Sequence, residues 1–126
     1  MKTPLILRET EFDQLERLCA KLHEDACAKA VFLVDKNGQL MSSIGETDGL
    51  DVTSLASLTA GNMAATDHLA RLVGEREFGL QFHEGERDHI HISMAGERLI
   101  LVVIFDDRSS LGLVRLRVKQ KIGRVH

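Results

Sequence analysis

A strand, a tight turn and a second strand near the start of the chain decide the fold, and they read AVFLVDKNGQLMSSI at residues 30–44. The first five residues are apolar and include two β-branched valines, which is typical of a buried strand. The Asn37-Gly38 pair is the strongest short-range signal for a hairpin turn. We therefore expect Ala30–Val34 and Gln39–Ile44 to pair as antiparallel strands.

Helices and further strands are predicted on both sides of this hairpin. Residues 10–28, 51–73 and 111–125 carry helical patterns, and strands are expected at 80–83, 89–94 and 98–105. The order α-β-β-α-β-β-β-α predicts an α/β chain of the α+β type, with a five-stranded antiparallel sheet sandwiched by helices. We expect a single domain, 1–126. Because the last helical pattern has not ended at His126, we also expect the natural C-terminal tail to be truncated.

Composition argues against nucleic-acid and membrane-spanning functions. The chain has no Trp or Tyr, a net charge of −3 and a pI near 6.0, which disfavour stacking on bases and binding to phosphates. The longest apolar run, Leu99–Phe105, is too short to span a bilayer. All Lys and Arg residues after Asp107 form a basic segment, which we interpret as the solvated face of the last helix; contact with a membrane or an acidic partner is the alternative. Cys19 and Cys27 lack metal-ligand spacing and predict core thiols in a reducing cytoplasm.

Sequence motifs for catalysis, cofactor binding and metal binding are absent. There is no nucleophile elbow, no phosphate loop and no dinucleotide fingerprint. His83, His89 and His91 invite a metal site, but we interpret them as exposed strand histidines. We therefore expect no catalytic, cofactor-binding or metal-binding residues, no cofactor and no enzymatic site.

The middle helix has an unusual composition. Leu55, Leu58, Thr59, Asn62, Thr66, Leu69 and Val73 fall on one side, which we expect to face the core. We call the opposite side the small-residue face: Ser57, Ala60, Gly61, Ala64, Asp67, His68 and Arg71. A solvated face normally carries many Lys and Glu residues, so this face indicates a surface that another molecule approaches closely. A second helix of the same chain is the alternative.

The strand after this helix suggests self-association. Residues Leu80, Gln81, Phe82 and His83 begin the second group of strands and are expected at a sheet edge. An open edge aggregates unless it is paired or protected, and pairing across a two-fold axis is the simplest solution. We therefore predict a homodimer with a continuous sheet.

Several stretches resemble the Roadblock family, and within it the bacterial branch that regulates Ras-like GTPases of the MglA type in cell polarity and gliding motility. The matching stretches, which extend over nearly the whole chain, are 31–40, 55–62, 81–85, 102–106 and 109–117. The resemblance implies a cytoplasmic homodimer, placed at a cell pole through its partners, whose paired middle helices receive one GTPase and accelerate GTP hydrolysis. It implies that the GTPase is reshaped without an arginine finger, with Ala64 and His68 at the contact. Arg71 and Arg87 are the arginines to test.

Two alternatives remain open. A Roadblock scaffold or adaptor subunit would organise a complex without changing a GTPase rate, and its sequence would look the same. A small sensory domain would bind a ligand between the sheet and the middle helix, where Asn62 and Thr66 are expected to point inward.

Overall fold

The computed structural model describes residues 9–122 and contains three helices and five strands within that range. The order is the one predicted. In chain order the elements are α1 (Glu9–Asp25), β1 (Ala30–Asp35), β2 (Leu40–Gly45), α2 (Val52–Leu72), β3 (Leu80–Glu84), β4 (His89–Ala95), β5 (Leu99–Phe105) and α3 (Leu111–Lys121). The α1 helix extends over Glu9–Asp25, so it ends three residues before the helical pattern predicted at 10–28. The expected continuation of α3 to Val125 and the truncated tail lie outside the described residues.

The five strands form one antiparallel sheet in the order β2-β1-β5-β4-β3. The Asn37-Gly38 turn joins β1 and β2 as expected, and Gly38 has the positive φ of +91° that such a turn requires. β5 is the central strand and lies between β1 and β4; Val31–Val34 of β1 and every residue of β5 are buried. β2 and β3 are the two edges, so the predicted edge position of β3 is confirmed.

Each face of the sheet carries its own hydrophobic core. On one face, α1 and α3 pack together over β1 and β5 through residues such as Leu22, Leu33, Phe105 and Val114. On the other face, α2 packs alone through Ala56 against Phe32, Ile92 and Val102. The first and last helices thus share one face, and α2 has no helix of the described chain lying over its outer side.

Candidate functional site

The α2 helix is well defined at both ends. The Asp51 carboxylate accepts hydrogen bonds from the Ser54 N–H at 3.0 Å and the Ser54 hydroxyl at 2.7 Å. These bonds lower the pKa of Asp51 below its usual value. At the other end Gly74 has a φ of +87°, and the N–H groups of Gly74 and Glu75 bond to the Arg71 and Ala70 carbonyls. These two hydrogen bonds and the left-handed glycine form a Schellman motif.

The buried side of α2 differs from the prediction. Ala56, Thr59 and Ala70 are buried, whereas Leu58, Leu69 and Val73, which we expected in the core, are 73%, 54% and 66% exposed. Asn62 and Thr66 are half-buried, and the Thr66 hydroxyl is 3.4 Å from the Asn62 side-chain oxygen. The error arises because apolar residues occupy more than one face of this helix. Periodicity alone therefore cannot show which apolar face packs against the sheet.

Leu58 and Leu69, which we had expected in the core, belong to an exposed apolar surface. Leu58, Ala65, Leu69 and Leu72, which we call the apolar stripe, are all exposed, and Leu72 is 82% exposed. Positions 58, 65 and 72 repeat every seven residues, as side chains do at a helix–helix contact. The sequence analysis missed Leu72, although this spacing was a signal that could have revealed it. Exposed apolar surface of this extent on a helix is typical of an interaction surface.

The seven predicted residues of the small-residue face lie beside the apolar stripe. Five are exposed, while Ala60 and Asp67 are half-buried because they turn toward the sheet; the exposed five are Ser57, Gly61, Ala64, His68 and Arg71. A Cβ added at Gly61 would meet no atom within 4 Å outside the local helix backbone, so no packing contact within the described chain requires a glycine there. The Arg71 guanidinium lies 3.3 Å from the His68 ring nitrogen Nδ1, at the last turn of the face.

The predicted self-pairing strand also has a free side. β3 pairs with β4 through Leu80↔Ser93 and Phe82↔His91, and nothing in the described chain pairs with its other side. Leu80, Gln81 and Phe82 are half-buried, and His83 is exposed. The side-chain nitrogen Nε2 of Gln81 lies 3.1 Å from the sulfur Sδ of Met63 on α2, so the free edge and α2 are adjacent.

A small cavity of about 110 Å³, which we call the side cavity, adjoins the small-residue face. Its apolar part is formed by Ala60, Met63, Met94 and Ile100. Its remaining lining residues are Lys36, Ala64, Asp67 and Glu77. Sequence analysis could not find it, because its walls come from three elements, α2, β4 and β5, and from two loops.

We had expected the three strand histidines to be exposed, but not all of them are. His83 is exposed, but His91 is only 2% exposed, and its Nδ1 has no hydrogen-bond partner among the described residues. His89 packs against Phe82 and Phe105. Among residues 9–122, no group of three His, Cys, Asp or Glu residues is placed to hold a metal ion.

Burial of His91 should make stability depend on pH. Burial, with a smaller contribution from the Arg115 charge, lowers its pKa to about 4. The unfolded side chain has a pKa of about 6.5, so between these values the unfolded state binds more protons. We therefore expect this group to lower the free energy of unfolding by about 3 kcal/mol as pH falls from about 6.5 to 4. Urea unfolding across this range should show a weaker pH dependence for His91→Leu, whereas His83→Leu should behave like the wild type; equal pH dependence in all three proteins would contradict the assignment.

The two cysteines differ in environment. Cys19 is buried in the core, and burial together with the nearby Glu16 raises its pKa to about 12. Cys27 is exposed just after α1 with a φ of +52°, so the expectation of two core thiols is wrong for this residue.

No helix in the described part of the chain is long and apolar enough to cross a membrane.

Comparison with known proteins identifies the fold. Residues 14–105 match the Roadblock/LC7 domain. Myxococcus xanthus MglB is 56% identical over 96% of this chain and 91% of its own, with a TM-score of 0.87. An MglB with a tetrameric arrangement is 28% identical over 99% of this chain and 94% of its own (TM-score 0.87), and the gliding protein MglB of Thermus thermophilus is 29% identical over 99% and 97% (TM-score 0.85). No curated protein matches the chain. The extent of these matches, together with the element order and the five-stranded sheet, shows that the chain belongs to the Roadblock/LC7 family.

Proposed function

We propose that this chain is a homodimeric regulator of a small Ras-like GTPase of the MglA type, and that it accelerates GTP hydrolysis by that partner. The observation that carries the proposal is the uncovered outer surface of α2, where an apolar stripe and a small-residue face lie side by side on a chain 56% identical to an MglB. Two neighbouring surfaces can serve two different contacts, one with a second copy and one with the GTPase.

The apolar stripe and the free edge of β3 support the homodimer. Burying an exposed leucine contributes about 1.5–3 kcal/mol, and three of the four stripe residues are leucines more than half exposed. In a two-fold dimer each contact occurs twice, so the stripe supplies a substantial apolar contact without residues from elsewhere. Pairing of β3, through Leu80–His83, with its copy would protect the open edge at the same time.

The small-residue face supports docking of the GTPase. Helical residues are about 100° apart, which places Ser57, Ala64 and Arg71 on the flank of α2 that turns away from Leu69. When stripes of two copies pack together, this flank stays uncovered. Short side chains at Ser57, Gly61 and Ala64 allow the backbone of a partner to approach closely, and few charges need to be desolvated there.

Activation is proposed to work through the GTPase's own residues. Hydrolysis by small GTPases is slow because a water molecule and a positive charge must be positioned against the γ-phosphate. The small-residue face carries a single arginine, Arg71, at the last turn of α2 and beside His68. Arg87 lies exposed in the β3–β4 turn, on a different part of the surface. This distribution favours reshaping of the bound GTPase over insertion of an arginine finger.

Different observations bear on the two alternatives, a scaffold subunit and a sensory domain. A scaffold subunit would show the same surfaces, so kinetics must separate it from an activator. The sensory-domain hypothesis is disfavoured, because ligand sites usually enclose about 300–1,000 Å³ and the side cavity, which lies between α2 and the sheet, has a volume of about 110 Å³. Asn62 and Thr66, the polar groups expected in such a site, are not among the residues lining that cavity. A cytoplasmic location and a role at a cell pole belong to the same proposal.

Single-turnover GTP hydrolysis by an MglA-type GTPase tests the function. The wild-type chain should raise the rate, and Ala64→Arg should reduce this stimulation at least tenfold because a long charged side chain blocks close approach. Ala20→Arg is the matched control, since Ala20 is exposed on α1, on the other face of the sheet. Binding of the wild type without any stimulation would favour the scaffold, and equal stimulation by Ala64→Arg would rule out the small-residue face.

A further inference from the structure

The side cavity is a surface pocket at the border of the small-residue face, and its floor is apolar. Its apolar residues range from half-buried Ala60, Met63 and Met94 to Ile100, which is 1% exposed. Ala64 and Glu77 are exposed, so the cavity opens at the surface. The apolar walls of such a pocket gain packing contacts when a side chain of another molecule fills it. The pocket is therefore suited to a side chain of a docked partner.

Its size and lining limit what that occupant can be. An apolar cavity of about 150 Å³ accommodates benzene, which has six heavy atoms. A volume of about 110 Å³ therefore fits roughly four heavy atoms, as in the side chain of Leu, Ile or Met. The mouth carries both signs of charge, with Lys36 on one side and Asp67 and Glu77 on the other. Such a rim suits polypeptide, in which polar backbone and charged neighbours flank one apolar side chain, and it does not suit a lipid tail.

We propose that the GTPase inserts one aliphatic or methionine side chain into the side cavity, and that this anchor fixes how it sits on α2. The inference rests on the proposed function and specifies how the small-residue face recognises its partner. Interfaces commonly derive most of their affinity from a few apolar anchors that fill pockets near the centre, surrounded by contacts of little energetic effect. Ala60, Ala64 and Asp67 belong to both the cavity and the small-residue face, so the anchor would lie within the docking area.

Methionine chemistry allows the cavity to be observed directly. The chain contains four methionines, of which Met63 and Met94 line the cavity and Met41 lies on the edge strand β2, 39% exposed. In a protein labelled with ¹³C at the methionine methyl groups, adding the GTP-loaded GTPase should shift the NMR signals of Met63 and Met94. The signal of Met41 should stay unchanged.

A cavity-filling substitution supplies the affinity test. Met94→Phe adds a bulky ring from the sheet side, away from the small-residue face, and should weaken GTPase binding at least tenfold by occupying the anchor's place. Met41→Phe is the matched control and should bind like the wild type. Circular dichroism reports whether Met94→Phe is folded, and Ala60→Val is the smaller filling variant if it is not.

The outcomes separate the anchor from the proposed function. No binding by the wild-type chain would overturn both. Wild-type binding accompanied by equal binding of folded Met94→Phe, or by unshifted Met63 and Met94 methyl signals, would overturn the anchor alone. Loss of binding in the filled variant, with Met41→Phe unaffected, is the result that the proposal requires.

Discussion

A chain with Leu69→Glu is expected to sediment as a monomer at concentrations where we expect the wild type to be a dimer. Leu69 is 54% exposed in the middle of the apolar stripe. In a two-fold dimer, both copies would bury this residue at the interface. The substitution removes about 1.5–3 kcal/mol of apolar burial per copy and places two carboxylates in the contact. Together these effects should raise the dimer dissociation constant more than about a thousandfold, since each 1.4 kcal/mol is tenfold.

Leu116→Glu provides the matched control for the dimer. Leu116 is a leucine on α3, 49% exposed, and it lies outside the apolar stripe. Sedimentation velocity should find Leu116→Glu dimeric and Leu69→Met dimeric as well, because methionine preserves the volume and apolar character of leucine. A dimeric Leu69→Glu protein, or a Leu116→Glu protein that dissociates equally, would refute an interface on α2.

Gly45→Ala is expected to cause the largest loss of stability among the substitutions proposed. Gly45 ends β2 with a φ of +99°, and a Cβ built there would lie 2.5 Å from the Lys29 carbonyl oxygen and 2.7 Å from His23 Nε2. The Lys29 carbonyl also accepts the Glu46 N–H at 2.9 Å, so it cannot retreat without breaking a hydrogen bond. Backbone strain and this clash should together lower the free energy of unfolding by about 3 kcal/mol or more.

Gly49→Ala separates the two contributions. Gly49 also has a positive φ, +81°, but a Cβ there would meet nothing within 4 Å. It should therefore show backbone strain alone, about 1 kcal/mol. Urea unfolding must be compared at one protein concentration, because the apparent stability of a dimer depends on concentration. If both variants lost the same free energy of unfolding, the clash of the Cβ added at position 45 with Lys29 and His23 would have no energetic effect.

Local signals in the sequence predicted the fold well. Asn37-Gly38 indicated the first hairpin because glycine readily adopts the positive φ that its turn requires, and Gly38 has a φ of +91°. The strand predicted at 98–105 is observed as β5, and every residue of this apolar strand is buried. These features depend on residues close together in the chain, where pattern and conformation are directly linked.

Features that depend on distant residues were predicted less well. Leu58 and Leu69 were assigned to the core because their apolar character is the same whether the covering surface is the chain's own sheet or another molecule. His91 was taken as exposed, since alternation along β4 does not reveal that α3 covers that face. The side cavity brings Lys36, Glu77 and Met94 together from separate parts of the chain, and periodicity carries no such information. The small-residue face was found because its composition is unusual within a single helix.

The claim on which this account depends is that a GTP-loaded Ras-like GTPase docks on the small-residue face of α2. Photo-cross-linking from a cysteine at position 71 tests it most directly, because exposed Arg71 lies at the end of that face. Arg71→Cys would be labelled in a Cys27→Ser background, where buried Cys19 stays unreactive because its pKa of about 12 keeps it protonated. The account predicts cross-links to the GTPase from position 71 and none from Ala20→Cys on α1. Cross-links from position 20 with none from position 71 would contradict it.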